Sequence, residues 1–126
     1  MHYNQDYFDW QKNIGAIGGY ANLFKFTKYI NTNDNVIDFG CGGGFLINNI
    51  SCKNKIGTEI NDFARENAKR NGILVYKYSN EVEDNWADVI TSNHALEHTF
   101  QPLDELKVLY KKLKKDGRII LFCLKK

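Results

Sequence analysis

Apolar positions along this chain follow two alternating spacings. Short apolar runs at Val36-Ile37-Asp38-Phe39, Lys55 to Glu59, Ile73 to Tyr78, Asp88 to Ser92 and Arg118 to Leu124 read as five buried strands. Helical spacing fills the gaps. Tyr20, Leu23, Phe24, Thr27 and Ile30 share one face of a helix over Gly19 to Ile30, which the turn Asn31-Thr32-Asn33-Asp34 ends. Phe45, Ile47 and Ile50 form the apolar side of a helix after Gly44, and Asn61 or Asp62 caps another that runs through Asn71 and stops at Gly72. The last helix is the best specified. Pro102 suits its first position, Asp104 and Glu105 its positive end, and Lys111, Lys112, Lys114 and Lys115 its negative end, with Gly117 as terminator and Leu103, Leu106, Leu109, Tyr110 and Leu113 as the buried stripe. Those lysines read as a solvated face in preference to a phosphate-binding patch.

Strands separated by helices imply an α/β domain with a parallel sheet and right-handed crossovers. Ligands of such sheets bind beyond the carboxyl ends of the strands, where the strand order reverses. Gly40 to Gly44, Glu59 and Asn93 all fall at those ends.

Composition narrows the class. A chain of 126 residues makes one domain, 1–126, that buries roughly two-thirds of its unfolded surface. Its net charge of +2 is too small to argue for nucleic acid, and no nucleic-acid-reading module is present. Cys41, Cys52 and Cys123 show no C-x-x-C spacing, so neither a disulfide framework nor a metal site is expected. The start has no basic end followed by an apolar run, and no segment has the length of a membrane span, which makes the cytoplasm the default compartment.

The candidate chemistry begins at Val36-Ile37-Asp38-Phe39-Gly40-Cys41-Gly42-Gly43-Gly44. Glycines in such density let a ligand lie against bare main chain. A dinucleotide fingerprint, G-x-G-x-x-G, requires glycine at position 45, where Phe45 stands, and this disfavours a nicotinamide oxidoreductase. Gly40, Gly42 and Gly44 spell G-x-G-x-G instead. Glu59 ends the next strand about 20 residues on, the place where an acid grips the ribose hydroxyls of a nucleoside. Alone it reads more readily as a surface glutamate. Asp38, on the residues alone, reads as a strand-end aspartate that caps the turn.

This first strand and loop resemble motif I of the class I S-adenosylmethionine-dependent methyltransferases. Ala87-Asp88-Val89-Ile90-Thr91-Ser92-Asn93-His94-Ala95-Leu96-Glu97-His98 is similar to the family's fourth strand and its Leu-Glu-His turn, and Leu103 to Leu121 to its last helix, glycine turn and fifth strand. The resemblance covers about residues 20 to 124. It implies a three-layer Rossmann-like methyltransferase fold: a mostly parallel sheet of order 3-2-1-4-5 flanked by helices, residues 20–126 forming the core and the aromatic-rich 1–19 a lid or entry segment.

The same resemblance implies S-adenosylmethionine as cofactor and assigns residues to it. Gly40, Gly42 and Gly44 would pass beneath its methionine part, Asp38 would orient the loop or the ammonium, and Glu59 would hold the ribose, with Cys41 and Ile60 beside them. Ser79 falls at the adenine position, although Ser79-Asn80-Glu81 lacks the family's Gly-Asp pair. Asn93 and His94 would line the crevice by the methyl group. His94 or His98 is the candidate base for a hydroxyl acceptor, against the alternative that His98 caps or packs in its turn. Tyr3, Tyr7, Phe8, Trp10 and Tyr20 would fold over the cofactor or serve as core.

Methyl transfer to a small-molecule or glycan acceptor is the implied activity. Complete members continue past the fifth strand with a helix and an antiparallel hairpin, so the chain reads as a C-terminally shortened relative. Its fifth strand would be an open apolar edge, covered by a second copy, or the protein would bind S-adenosylmethionine or its demethylated product without turnover.

Overall fold

The computed structural model describes residues 23–122. The aromatic segment with Tyr3, Tyr7, Phe8, Trp10 and Tyr20, the 1–19 boundary, Cys123 and Leu124 lie outside them. Five strands form one sheet: β1 (Asn35–Phe39), β2 (Asn54–Thr58), β3 (Leu74–Tyr76), β4 (Ala87–Asn93) and β5 (Leu113–Phe122). Their order is β3-β2-β1-β4-β5, and every pairing is parallel, as expected. Helices α1 (residues 23–27), α2 (Phe45–Asn48), α3 (Asp62–Arg70) and α4 (Pro102–Lys112) flank it.

Alternation along the central strands divides the core between the two sheet faces. Ile37, Ile56 and Ile90 stand in register and pack with Leu109 of α4, Leu113 and Val82. The intervening positions face the other way. There Cys41, Ile47, Ala68, Ile73 and Val75 form one cluster, and Phe26, Leu46 and Ile50 meet Ile120 and Phe122 in another. Burial of these side chains, worth about 1.5–3 kcal/mol each, holds the layers together.

Helix α3 forms as its sequence dictates. Asn61 accepts the Ala64 N–H at 2.8 Å as N-cap, Asp62 begins the helix, Lys69 and Arg70 end it, and Gly72 follows at φ 83°. Asp88 anchors the opposite end of the sheet from the glycine loop, accepting the Asn35 N–H at 2.8 Å and the Lys114 ammonium at 3.2 Å.

Expectations for three of the helices need correction. In α1 the buried residue is Phe26, edge-on to Phe122 with centroids 5.1 Å apart, whereas Phe24 and Thr27 are exposed. Apolar residues at 23, 24 and 26 permit two stripes, and contact with β5 selects one. In α2, Leu46 is buried with Ile47 while Phe45 is only half-buried, because the helix has four residues and is set by its contacts. Helix α4 stops at Lys112, well short of Gly117. Leu113 is already extended and pairs with Ala87 as the first residue of β5. Leu103 and Tyr110 of the expected stripe are exposed. Gly117 instead serves the register shift that follows: a Cβ there would lie 2.8 Å from Leu113 Cδ2 and 3.0 Å from the Ala87 carbonyl oxygen. Lys112 also departs from the solvated face, being buried with its ammonium 2.6 Å from Asp84 Oδ1.

Candidate functional site

The loop leaving β1 turns sharply, with Gly40 at φ 69°, Gly42 at 58° and Gly44 at 84°. L side chains seldom adopt such angles. The turn is braced from both sides: the Cys41 N–H donates to the Thr58 carbonyl at 3.0 Å and the Gly44 N–H to the Cys41 carbonyl at 3.0 Å. Neighbours explain two of the glycines. A Cβ on Gly40 would lie 2.4 Å from Ala95 Cβ, and one on Gly44 would meet Ile73 at 3.2 Å and Ala68 at 3.4 Å. Gly42 is different, since a Cβ there would find nothing within 4 Å among the described residues. With respect to those residues its outer side is open, against bare main chain.

Glu59 stands just beyond β2 and grips this loop. Its Oε1 accepts the Gly42 N–H at 2.8 Å, and its Oε2 accepts the Asn61 N–H at 2.9 Å. An ionised carboxylate offers about four acceptor positions, so roughly two remain for a ligand. Ile60, next along, is exposed, as are Phe63 in the first turn of α3 and Tyr78 after β3. Phe63 and Tyr78 were not singled out from the sequence.

Asp38 sits on β1, only 3% exposed, and its Oδ1 accepts the Thr91 hydroxyl at 2.8 Å. Burial pushes its carboxyl up to about 7; the Thr91 hydrogen bond opposes the rise and the charge of Glu59 adds to it. Cys41 turns its side chain into the core. Its side chain packs among Ile47, Ala68, Ile73 and Val75, burial pushes its thiol up, and only its main chain belongs to the loop surface.

Other expected residues gather at the same end of the sheet. Ser79 opens a 3-10 turn (Ser79–Glu81) after β3, and Asn93 ends β4. Among the described residues, Thr58 Oγ1, Ser79 Oγ, Ser92 Oγ and Asn93 Oδ1 are buried without a hydrogen-bond partner. All four stand at or after the carboxyl ends of β2, β3 and β4. Buried polar atoms ordinarily find partners, so these four remain open to a further hydrogen bond. His94 follows directly at φ 55°, its N–H 2.6 Å from the Phe122 carbonyl oxygen and its Nδ1 3.8 Å from Glu97 Oε2. A left-handed histidine is strained backbone held by its surroundings. His98 is exposed on the 3-10 turn Leu96–His98, apart from these packed positions.

The ends of β1 and β2 thus hold two carboxyls beside an open glycine turn. That arrangement suits a cationic ligand carrying a diol. Among the described residues, no group of His, Cys, Asp and Glu could hold a metal ion.

A family model described as a methyltransferase domain matches residues 15–123. The chain belongs to this methyltransferase family. No curated protein sequence matches it. Among solved structures it is similar to a SAM-dependent methyltransferase of Thermotoga maritima described as a possible histamine N-methyltransferase, at 20% identity and TM-score 0.73 over 90% of this chain and 56% of that one. A SAM-dependent methyltransferase of Archaeoglobus fulgidus aligns at 24% identity and TM-score 0.71, over 85% and 52%. A Haloferax volcanii protein solved in complex with the Trm112 methyltransferase activator aligns at 15% and TM-score 0.71, over 95% and 61%. At these identities the structures establish the shared Rossmann-like fold. The chain spans about half to three-fifths of the length of those it matches.

Family membership makes S-adenosylmethionine the implied cofactor. The residues present fit it: open main chain at Gly42, spare acceptor positions on Glu59, a buried carboxyl at Asp38 and unpartnered polar atoms at Ser79 and Asn93. No helix among the described residues is long and apolar enough to cross a membrane.

Proposed function

We propose that this protein, a single domain over 1–126, transfers a methyl group from S-adenosylmethionine to a small-molecule or glycan acceptor. The observation that carries the reading is the Gly42 turn, open on its outer side and tied by its N–H to Glu59. In this reading Gly40, Gly42, Gly44 and the Cys41 main chain carry the methionine part, and Asp38 faces its ammonium. Glu59 accepts the ribose hydroxyls, each charge-assisted bond worth about 1.5–3 kcal/mol. Ile60 covers the adenine, Ser79 Oγ meets its edge, and Asn93 lies towards the methyl group.

Bound S-adenosylmethionine supplies a methyl group already activated on a sulfonium. The chain's own task is then chiefly alignment, since holding two reactants in line can supply roughly 7–11 kcal/mol of the acceleration. Where the acceptor is a hydroxyl, a base must take its proton. His94 suits this better than His98, because the first is fixed at the end of β4 and the second lies out on the surface. A second copy of the chain is the partner proposed for the outer edge of β5, whose pairing among the described residues is with β4 alone.

Calorimetric titration with S-adenosylhomocysteine and with NAD tests the cofactor. Binding of S-adenosylhomocysteine supports the reading, and tight binding of NAD alone ends it. An acceptor screen scored by release of S-adenosylhomocysteine tests turnover. Binding without turnover on any acceptor would favour a cofactor-binding role that needs a partner.

A further inference from the structure

Asp38 and Thr91 are register partners on the adjacent strands β1 and β4. Both are buried, Thr91 completely. Thr91 Oγ1 lies 2.8 Å from Asp38 Oδ1 and 3.5 Å from the Ile37 carbonyl oxygen. A hydroxyl has one proton to give, and it goes to the nearer acceptor. The other carboxyl oxygen, Oδ2, has no hydrogen-bond partner among the described residues, and Asp38 forms no ion pair there. Among the described residues, the titratable groups felt around it are Glu59 and the Cys41 thiol, neither of them a cation. A buried carboxyl beside a second acid is unfavourable until a positive charge joins it.

We propose that Thr91 is a positioning residue for the amino-acid end of the cofactor: by donating to Oδ1 it fixes the Asp38 carboxyl and leaves Oδ2 as the acceptor for a bound ammonium. This rests on the methyltransferase reading and goes beyond it, because it makes a fourth-strand hydroxyl part of cofactor recognition. Valine has the same shape as threonine and would fill the same space without the proton. The raised titration of Asp38 supports the idea, since losing the hydrogen bond removes what opposes that rise.

The test compares Thr91→Val and Thr91→Ser in the full chain, titrated from pH 6 to 9 with two ligands. S-adenosylhomocysteine carries the amino-acid end; 5′-methylthioadenosine is the same nucleoside thioether without it. Thr91→Val should weaken S-adenosylhomocysteine by about 10- to 100-fold. It should also move the pH midpoint of that binding upwards and leave methylthioadenosine within about twofold, a change too small for a lost hydrogen bond. Thr91→Ser should restore both affinity and pH profile. Equal loss for the two ligands, or a Thr91→Val variant that matches wild type, overturns the proposal. If Thr91→Val does not fold, Asp38→Asn decides: it should abolish the pH dependence of S-adenosylhomocysteine binding, and retained dependence overturns the idea. A wild-type chain that binds neither ligand defeats the methyltransferase reading and this proposal together. Wild-type binding with indifferent variants defeats the proposal alone.

Discussion

The Gly42 N–H lies 2.8 Å from Glu59 Oε1, so the glycine turn of β1 and the acid after β2 form one hydrogen-bonded unit. The carboxylate that would take the ribose also sets the shape of the loop that would take the rest of the cofactor. A second N–H, from Asn61, holds its other oxygen and links the unit to α3.

Removing that carboxylate should therefore act twice. Glu59→Ala is expected to weaken S-adenosylhomocysteine by about 2 kcal/mol, or roughly 30-fold, through loss of charged hydrogen bonds. Calorimetry reads this directly, and unchanged affinity would mean that the ribose assignment is wrong.

Gly42 and Gly57 should respond to alanine in opposite ways. Gly42→Ala meets no atom of the described residues within 4 Å but must hold φ near 58°, so it should fold with a penalty of about 1–2 kcal/mol while its methyl group fills the space a ligand needs. Gly57→Ala would drive a Cβ to 2.5 Å from Cys41 Sγ, inside the core. Thermal melts should show the larger loss for Gly57→Ala, and binding assays the specific defect for Gly42→Ala.

Asp38 gives the ligand-free protein a pH signature. Its carboxyl is raised from 3.8 to about 7 on folding, so the folded state holds a proton that the unfolded chain has released. The stability linked to that proton is complete below about pH 4 and disappears as pH rises through 7. Over the full interval it amounts to about 4 kcal/mol. Asp38→Asn should flatten this slope and stabilise the ligand-free protein at pH 8, which denaturant melts at several pH values would reveal. An equally steep slope in the variant would assign it to another group.

Asn61 caps α3 through the Ala64 N–H. Asn61→Ala should lower stability by about 1 kcal/mol. Since the Asn61 main-chain N–H still reaches Glu59, cofactor affinity should change much less than in Glu59→Ala. A large affinity loss at unchanged stability would show that the asparagine side chain itself faces the ligand.

Much of the layout was legible in the chain. Val36 to Phe39 followed by Gly40, Gly42 and Gly44, with Glu59 one strand later, specify a strand, a turn and an acid whose local geometry depends on few distant contacts. The α3 boundaries were legible for the same reason, because caps and a left-handed glycine act over a single turn. The end of α4 was not. Leu113, Lys114 and Lys115 continue the helical pattern past Lys112, and the pairing of Leu113 with Ala87 outweighs it.

By itself, the sequence determined the order and type of the elements, the glycine turn and the acid that follows it, because those rest on spacing, chirality and the absence of a Cβ. Only the tertiary structure decided that Thr91 stands opposite Asp38, that Phe26 rather than Phe24 enters the core, that Cys41 turns its thiol away from the loop surface, and that Glu59 holds the loop it accompanies. Each of these depends on strand register or on which of two apolar stripes meets the sheet. Those choices are made by contacts between residues far apart in the chain, which no local pattern records.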